Sequence, residues 1–91
     1  MKMTDTFTVP SHVRAQQLED QMVILDLSSG IYFGLNQVGA RIWDLIKQGR
    51  ALGDIAAVVA EEFDAPAAEV EADTAELANQ LVSRKLIVPL V

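Results

Sequence analysis

The segment from Ser28 to Ile46 reads SSGIYFGLNQVGARIWDLI and carries the signals for a turn, a strand, a helix cap and a helix in direct succession. Ser28–Gly30 has the composition of a turn, because glycine adopts a positive φ at little cost. Ile31–Leu35 is rich in β-branched and aromatic residues, which predicts a strand. Asn36 has a side chain that accepts a backbone N–H and therefore caps a helix. The segment predicts a strand that leads directly into a helix.

The helix that follows Asn36 is predicted to be amphipathic. Its apolar residues recur at the three- and four-residue spacing of one helical face, namely Val38, Ile42, Leu45 and Ile46, with Trp43 beside them. Gly39 lies inside this helix, where glycine costs roughly 1 kcal/mol relative to alanine. We therefore expect Gly39 to mark a close approach between the helix and the sheet.

Two further strands are predicted before Ile31–Leu35. His12–Leu18 alternates weakly between apolar and polar residues, and Met22–Leu27 is apolar on both faces until Asp26. A strand that is apolar on both faces usually lies in the middle of a sheet or beneath helices. Short turns separate the three segments, so we predict a three-stranded antiparallel β-meander with Ile31–Leu35 at its edge.

Three helices are predicted after the meander. The first runs from Asn36 to about Gly49, the second from Leu52 to Phe63, and the third from Pro66 to about Arg84. Strands followed by helices indicate an α+β fold, and two short helices before a longer one are typical of a winged helix-turn-helix. We expect residues 12–91 to form a single domain, preceded by a flexible N-terminal arm at residues 1–11.

The pattern of fixed positions in this region resembles the PqqD-like family, the small peptide-binding domains called RiPP recognition elements. The residues that carry the resemblance are Gly30, Tyr32, Phe33, Leu35, Asn36, Gly39, Ile42, Trp43 and Leu45. The similarity extends from near His12 to about Leu86. It implies a winged helix-turn-helix fold for the domain.

Composition narrows the classes of function. The chain has 91 residues, of which 51% are apolar, and this suits one folded domain. It has no cysteine, which excludes disulfides, thiolate metal sites and a cysteine nucleophile. A net charge of −6 argues against binding nucleic acid or an anionic membrane surface. We find neither an apolar run long enough to span a bilayer nor a secretory signal, and expect a cytoplasmic protein.

The sequence offers no set of residues typical of catalysis. His12 is the single histidine, and a lone histidine without cysteine is a poor metal ligand set, so we expect a surface or capping role. Glu69, Asp73 and Glu76 share a helical face, where carboxylates are usually solvated. The glycines lack the spacing of a phosphate-binding loop. We therefore expect no enzymatic activity, no metal and no cofactor.

An edge strand has a row of unpaired N–H and C=O groups that can accept a partner strand. Such β-augmentation gives affinity through main-chain hydrogen bonds and specificity through pockets for alternate side chains. The family resemblance implies this mechanism. It implies that the leader segment of a ribosomally made precursor peptide lies between the third strand and the third helix, and that the protein presents this leader to a modifying enzyme.

The resemblance places the peptide-binding residues on these two elements. They are Ile31, Tyr32, Phe33, Gly34 and Leu35 on the strand, and Val70, Asp73, Thr74, Leu77, Gln80 and Leu81 on the helix. For Leu77 and Leu81, packing in the core is the alternative interpretation. The acidic side chains of Asp73 and Glu76 favour a basic leader.

The sequence is compatible with several functions. A leader-binding protein of this family serves either a leader peptidase and cyclase in lasso-type peptide biosynthesis, or a radical SAM enzyme in pyrroloquinoline quinone (PQQ) synthesis. The segment Phe33–Asn36 favours the lasso type or a related pathway. A homodimeric structural subunit whose strand edge is permanently paired is an alternative. A nucleic-acid-binding winged helix is disfavoured, because the third helix is acidic.

Overall fold

The computed structural model describes residues 1–90, and within this range the chain forms five strands and three helices. The strands are β1 Thr6–Thr8, β2 Val13–Leu18, β3 Gln21–Asp26, β4 Tyr32–Leu35 and β5 Val88–Leu90. The helices are α1 Gln37–Lys47, α2 Leu52–Glu62 and α3 Ala67–Ser83. The predicted α+β class is confirmed, and the predicted strands of the meander and the three helices lie within a few residues of their observed bounds.

Strands β2, β3 and β4 form an antiparallel sheet in that order. Val13 lies opposite Asp26 in the β2–β3 pair, and Leu35 lies opposite Met22 in the β3–β4 pair. The apolar strand β3 is therefore central, as its composition predicts, and β4 lies at an edge. Met22 and Ile24 face the core, where their side chains are buried.

Local hydrogen bonds fix both ends of β4. In the turn before it, the Asp26 carboxylate accepts hydrogen bonds from the backbone N and the Oγ of Ser28, at 2.9 and 2.7 Å. After it, the Asn36 side chain accepts a hydrogen bond from the backbone N of Gly39 at 2.8 Å and caps α1. A Cβ atom on Gly39 would lie only 3.2 Å from Leu35 Cδ2. The predicted close approach at Gly39 is confirmed.

The N-terminal segment differs from the flexible arm predicted for residues 1–11. Thr6–Thr8 forms β1, which pairs antiparallel with β5, and the side chain of Phe7 is only 2% exposed. Burial of a large apolar side chain holds this segment against the body of the protein. The sequence prediction missed the strand because β1 is short and its partner lies at the opposite end of the chain.

The hydrophobic core lies between the β2–β3–β4 sheet and the helices. It is built around Trp43, which is 1% exposed, and the buried faces of the three helices. The buried residues of α2 are Leu52, Ile55, Ala56 and Val59, and those of α3 are Val70, Thr74, Ala78 and Leu81. None of the helices in residues 1–90 combines the length and the hydropathy needed to cross a bilayer.

Candidate functional site

The outer edge of β4 carries backbone groups that point away from the sheet. The Asp26 backbone N donates a hydrogen bond to the Ile31 carbonyl at 2.9 Å, which fixes the phase of the β3–β4 pairing. In an antiparallel pair, residues alternate between bonding to the neighbour and pointing away from it. Tyr32 and Gly34 therefore direct their N–H and C=O groups outward, and no other strand in residues 1–90 pairs with this edge.

The side chains of β4 separate onto two faces of the sheet. Leu35 is buried and Phe33 is half-buried against the core, whereas Tyr32 is 72% exposed. Gly34 lies on the same face as Tyr32, and a Cβ atom built on Gly34 would have no neighbour within 4 Å. The packing of the chain itself therefore does not require glycine at this position. The missing side chain leaves room for another backbone to approach the edge.

A cavity of about 390 Å³ lies between β4 and α3, and we call it the β4–α3 groove. Its lining comes from Phe33, Gly34 and Leu35 of β4, from Asn36, Val38, Gly39 and Ile42 at the start of α1, and from Asp73 and Leu77 of α3. The groove thus borders the unpaired strand edge. A chain that paired with β4 could place alternate side chains in it.

The structure divides the predicted α3 residues into two groups. Asp73 and Leu77 line the groove, and Gln80 is exposed three residues after Leu77. The other three are Val70, Thr74 and Leu81, which are 6%, 0% and 0% exposed and belong to the core. Buried side chains offer a ligand little surface in this conformation, so we do not include these three residues in the candidate site. Of the two leucines left open, Leu77 faces the groove and Leu81 packs in the core.

Arg84 is a candidate site residue that the sequence prediction missed. Its guanidinium carbon lies 5.0 Å from the centroid of the Phe33 ring, within the range of a cation–π contact. The sequence analysis places Arg84 only at the end of the third helix. The helical spacing of the sequence could have identified Arg84. Successive spacings of four, three and four residues place on one helical face the residues Asp73, Leu77, Gln80 and Arg84. We call these four residues the α3 stripe.

A larger cavity of about 750 Å³ lies beside the turn that precedes β4. Its lining includes His12, Asp26, Ser28, Arg84 and Lys85. His12 Nε2 lies 3.8 Å from Asp26 Oδ1, so the single histidine lies near the turn carboxylate. The hydrogen bond from the Ser28 hydroxyl lowers the pKa of Asp26. Within residues 1–90, no three His, Cys, Asp or Glu side chains are grouped closely enough to hold a metal ion.

Two solved structures are similar to this chain over most of its length. One is described as "Lasso peptide synthetase B1 complexed with the leader peptide"; it is 28% identical, has a TM-score of 0.82, and the match covers 91% of this chain and 98% of that one. The other is described as "TbiB1 in Complex with the TbiA(beta) Leader Peptide"; it is 30% identical, has a TM-score of 0.79, and the match covers 88% of this chain and 93% of that one.

A comparison with curated proteins finds no match. Residues 21–87 match the family model for coenzyme PQQ synthesis protein D (PqqD). The matched region contains β3, β4 and all three helices, and therefore both walls of the groove. It also contains every residue on which the sequence resemblance rested. The chain belongs to the PqqD family.

Proposed function

We propose that this protein is a non-catalytic leader-peptide-binding protein in the biosynthesis of a ribosomally synthesised and post-translationally modified peptide. It captures the leader of the precursor as an additional strand on β4 and presents the precursor to a modifying enzyme. The observation that carries the proposal is the pair of outward backbone edges at Tyr32 and Gly34 beside the β4–α3 groove. Main-chain pairing supplies affinity in this arrangement, and the groove supplies specificity.

The two similar structures favour a lasso-type pathway over PQQ synthesis. Both are described as complexes with a leader peptide, and one is described as a lasso peptide synthetase. In a lasso-type pathway the partners are a leader peptidase and a cyclase. In PQQ synthesis, the alternative suggested by the family model, the partner is a radical SAM enzyme. Leader binding is common to both alternatives.

We extend the proposal to the type of fold and to the cellular compartment. We describe the β2–β4 sheet and the three helices as a winged helix-turn-helix that binds a peptide instead of a nucleic acid. The net charge of −6 supports this distinction, because nucleic-acid binding requires clustered cations. We expect the protein to act in the cytoplasm, where precursor peptides are synthesised.

Titration of the protein with a synthetic leader, monitored by amide NMR shifts, tests the proposal. Candidate leaders are the N-terminal segments of any short reading frames that neighbour the gene for this protein, and scrambled versions of the same peptides are the control. We expect shifts concentrated at Tyr32–Leu35 and along the α3 stripe. A leader that leaves these amides unchanged would refute peptide capture. Unchanged amide shifts together with a dimeric mass would support the homodimeric structural subunit. A tight, salt-sensitive complex with duplex DNA would support the nucleic-acid alternative.

A further inference from the structure

The β4–α3 groove has opposite charges at its two ends. Asp73 lines the groove together with Leu35 and Asn36, which lie at the carboxyl end of β4. Arg84 stacks on Phe33 and lines a small cavity with Ile31, at the amino end of the same strand. Helix α3 therefore runs antiparallel to β4. Its acidic end borders one end of the groove and its basic end borders the other.

Neither of these two charges has an ion-pair partner among residues 1–90. The salt bridges in the described part of the chain are the His12–Asp26 and Arg41–Glu62 pairs, and neither includes Asp73 or Arg84. Asp26 lines the small cavity near Arg84, but its carboxylate accepts hydrogen bonds from Ser28. Both Asp73 and Arg84 are solvent-exposed. Each is thus available to a charged side chain of a bound peptide.

The neighbouring charges strengthen this polarity. Glu69 and Glu76 are exposed on α3 and precede Leu77, and Lys85 follows Arg84 directly. Between the two ends, the α3 stripe presents the apolar Leu77 and the uncharged Gln80. The groove is therefore acidic at one end, apolar and polar in the middle, and basic at the other end.

We propose that the groove selects leaders by charge polarity, with a basic residue at the Asp73 end and an acidic residue at the Arg84 end. The inference rests on the proposed function, and it refines the expectation of a basic leader. Only one of the two ends is acidic, so a peptide that is basic throughout would place a cation against Arg84.

The direction and spacing of the two peptide charges follow from the geometry. Antiparallel pairing is the more stable arrangement and continues the pattern of the β2–β3–β4 sheet. An antiparallel guest begins beside Leu35 and ends beside Tyr32, so its basic residue precedes its acidic residue. Eleven helical positions separate Asp73 from Arg84, which is about 16 Å. This distance corresponds to about five strand residues. Because alternate guest side chains face the groove, the expected spacing is four or six residues.

Two matched peptides test the proposal. Both are versions of the leader that binds in the titration above, with one lysine and one glutamate at groove-facing positions four or six residues apart. In the first peptide lysine precedes glutamate, and in the second the order is reversed. Isothermal titration calorimetry at low salt should show that the first peptide binds more tightly than the second. Each of the two sites, Asp73 and Arg84, should contribute about two- to fivefold to this difference in affinity. The difference should shrink in high salt, because salt screens exposed charges.

Variants of the protein assign the preference to the two residues. The Asp73→Lys, Arg84→Glu double variant, with unchanged net charge, should prefer the second peptide. A matched control is Glu71→Lys with Arg50→Glu, which makes the same charge changes outside the groove and should keep the original preference. If either charge reversal disturbs folding, Asp73→Asn and Arg84→Gln should each reduce the preference. Circular dichroism checks the fold of every variant.

The outcomes separate this inference from the proposed function. If the wild-type protein binds both peptides equally and the β4 amides still shift, leader capture stands and the charge polarity is wrong. If the wild-type protein binds neither the natural leader nor the matched peptides, both proposals fail. If the control variant also inverts the preference, the effect comes from overall charge and the assignment to Asp73 and Arg84 is wrong.

Discussion

Phe7 in β1 lies opposite Pro89 in β5, so residues from the two ends of the sequence form one small antiparallel ribbon. Phe7 is buried, whereas Thr8 beside it is exposed. The ribbon therefore depends on one apolar side chain more than on its few backbone pairs. An isolated two-stranded ribbon is only marginally stable in water.

Phe7→Ala should lower the free energy of unfolding by about 3–5 kcal/mol, because it removes a large buried side chain. Thr8→Ala is the matched control in the same strand and should change it by less than about 0.5 kcal/mol. Denaturant unfolding monitored by circular dichroism measures both. Wild-type stability in Phe7→Ala would restore the interpretation of residues 1–11 as a flexible arm.

Gly34→Pro should weaken leader binding while the sheet remains intact. The N–H of Gly34 points away from β3, so proline removes a donor for the guest strand and none from the existing sheet. The loss of one net hydrogen bond corresponds to about two- to tenfold in affinity.

Ala15→Pro is the control for Gly34→Pro on the opposite edge of the sheet. Leu27 N donates to the His12 carbonyl, so by the same alternation the N–H of Ala15 also points away from β3. This variant should bind the leader as the wild type does. An equal loss of affinity in both variants would place the guest strand somewhere other than β4.

Thr74→Val should not weaken leader binding and should raise stability by up to about 1 kcal/mol. The hydroxyl of Thr74 is buried without a hydrogen-bond partner among the described residues, and such a group costs free energy on folding. Valine has nearly the same shape and a similar helix propensity. Thermal unfolding and a leader titration measure the two effects. A loss of affinity without a loss of stability would return Thr74 to the binding site.

Trp43→Ala should cost about 3–5 kcal/mol of stability, because Trp43 is buried at the centre of the core. Trp43→Phe should cost less, since it keeps an aromatic ring and removes an indole N–H that has no partner in the described structure. Denaturant unfolding of the two variants gives the comparison. Wild-type unfolding of Trp43→Ala would contradict the assignment of this residue to the core.

Acidification should destabilise the protein partly through Asp26. The hydrogen bonds from Ser28 hold the pKa of Asp26 below its ordinary value of 3.8. The carboxylate therefore contributes stability that is fully present above this ordinary value and is lost as the pH falls through the lower folded value. Asp26→Asn should flatten the dependence of the unfolding free energy on pH below about 4.

Glu62 provides the comparison for Asp26. Its carboxylate accepts two hydrogen bonds from Arg41, at 2.8 and 2.9 Å, which also lower its pKa. In the Asp26→Asn variant, the contribution of Glu62 to the pH dependence of stability remains. The unfolding free energy of the double variant Asp26→Asn, Glu62→Gln should therefore depend on pH even less. Parallel pH profiles of wild type and Asp26→Asn would show that the turn does not depend on the charge of Asp26.

The segment from Ser28 to Ile46 could be predicted because its signals are local. The cap at Asn36 and the close approach at Gly39 depend on residues at most four positions away. The edge position of β4 could also be predicted, since β3 is apolar on both faces until Asp26 and short turns place β2 and β4 on either side of it. The pairing of β1 with β5 could not be predicted, because no residue near Phe7 indicates a partner strand at the other end of the sequence.

The groove wall was only partly predictable for a different reason. Helical periodicity groups residues into faces, but it does not say which face meets the core and which borders the strand edge. Leu77 and Leu81 lie four residues apart, yet one lines the groove and the other is fully buried. The contact of Arg84 with Phe33 depends on the orientation of α3 relative to β4, which no local pattern contains.

Helix α3 gives its buried face to the core and the adjacent stripe to the groove. Asp73 directly precedes Thr74, and Gln80 directly precedes Leu81, so the two faces lie side by side along one helix. Under the proposed function, mutations at the exposed stripe positions Asp73, Gln80 and Arg84 are expected to alter which precursor is recognised while the folding stability stays nearly constant. A scaffold with this division is open to diversification in nature and to redesign in the laboratory, with new specificities obtained from a handful of exposed positions.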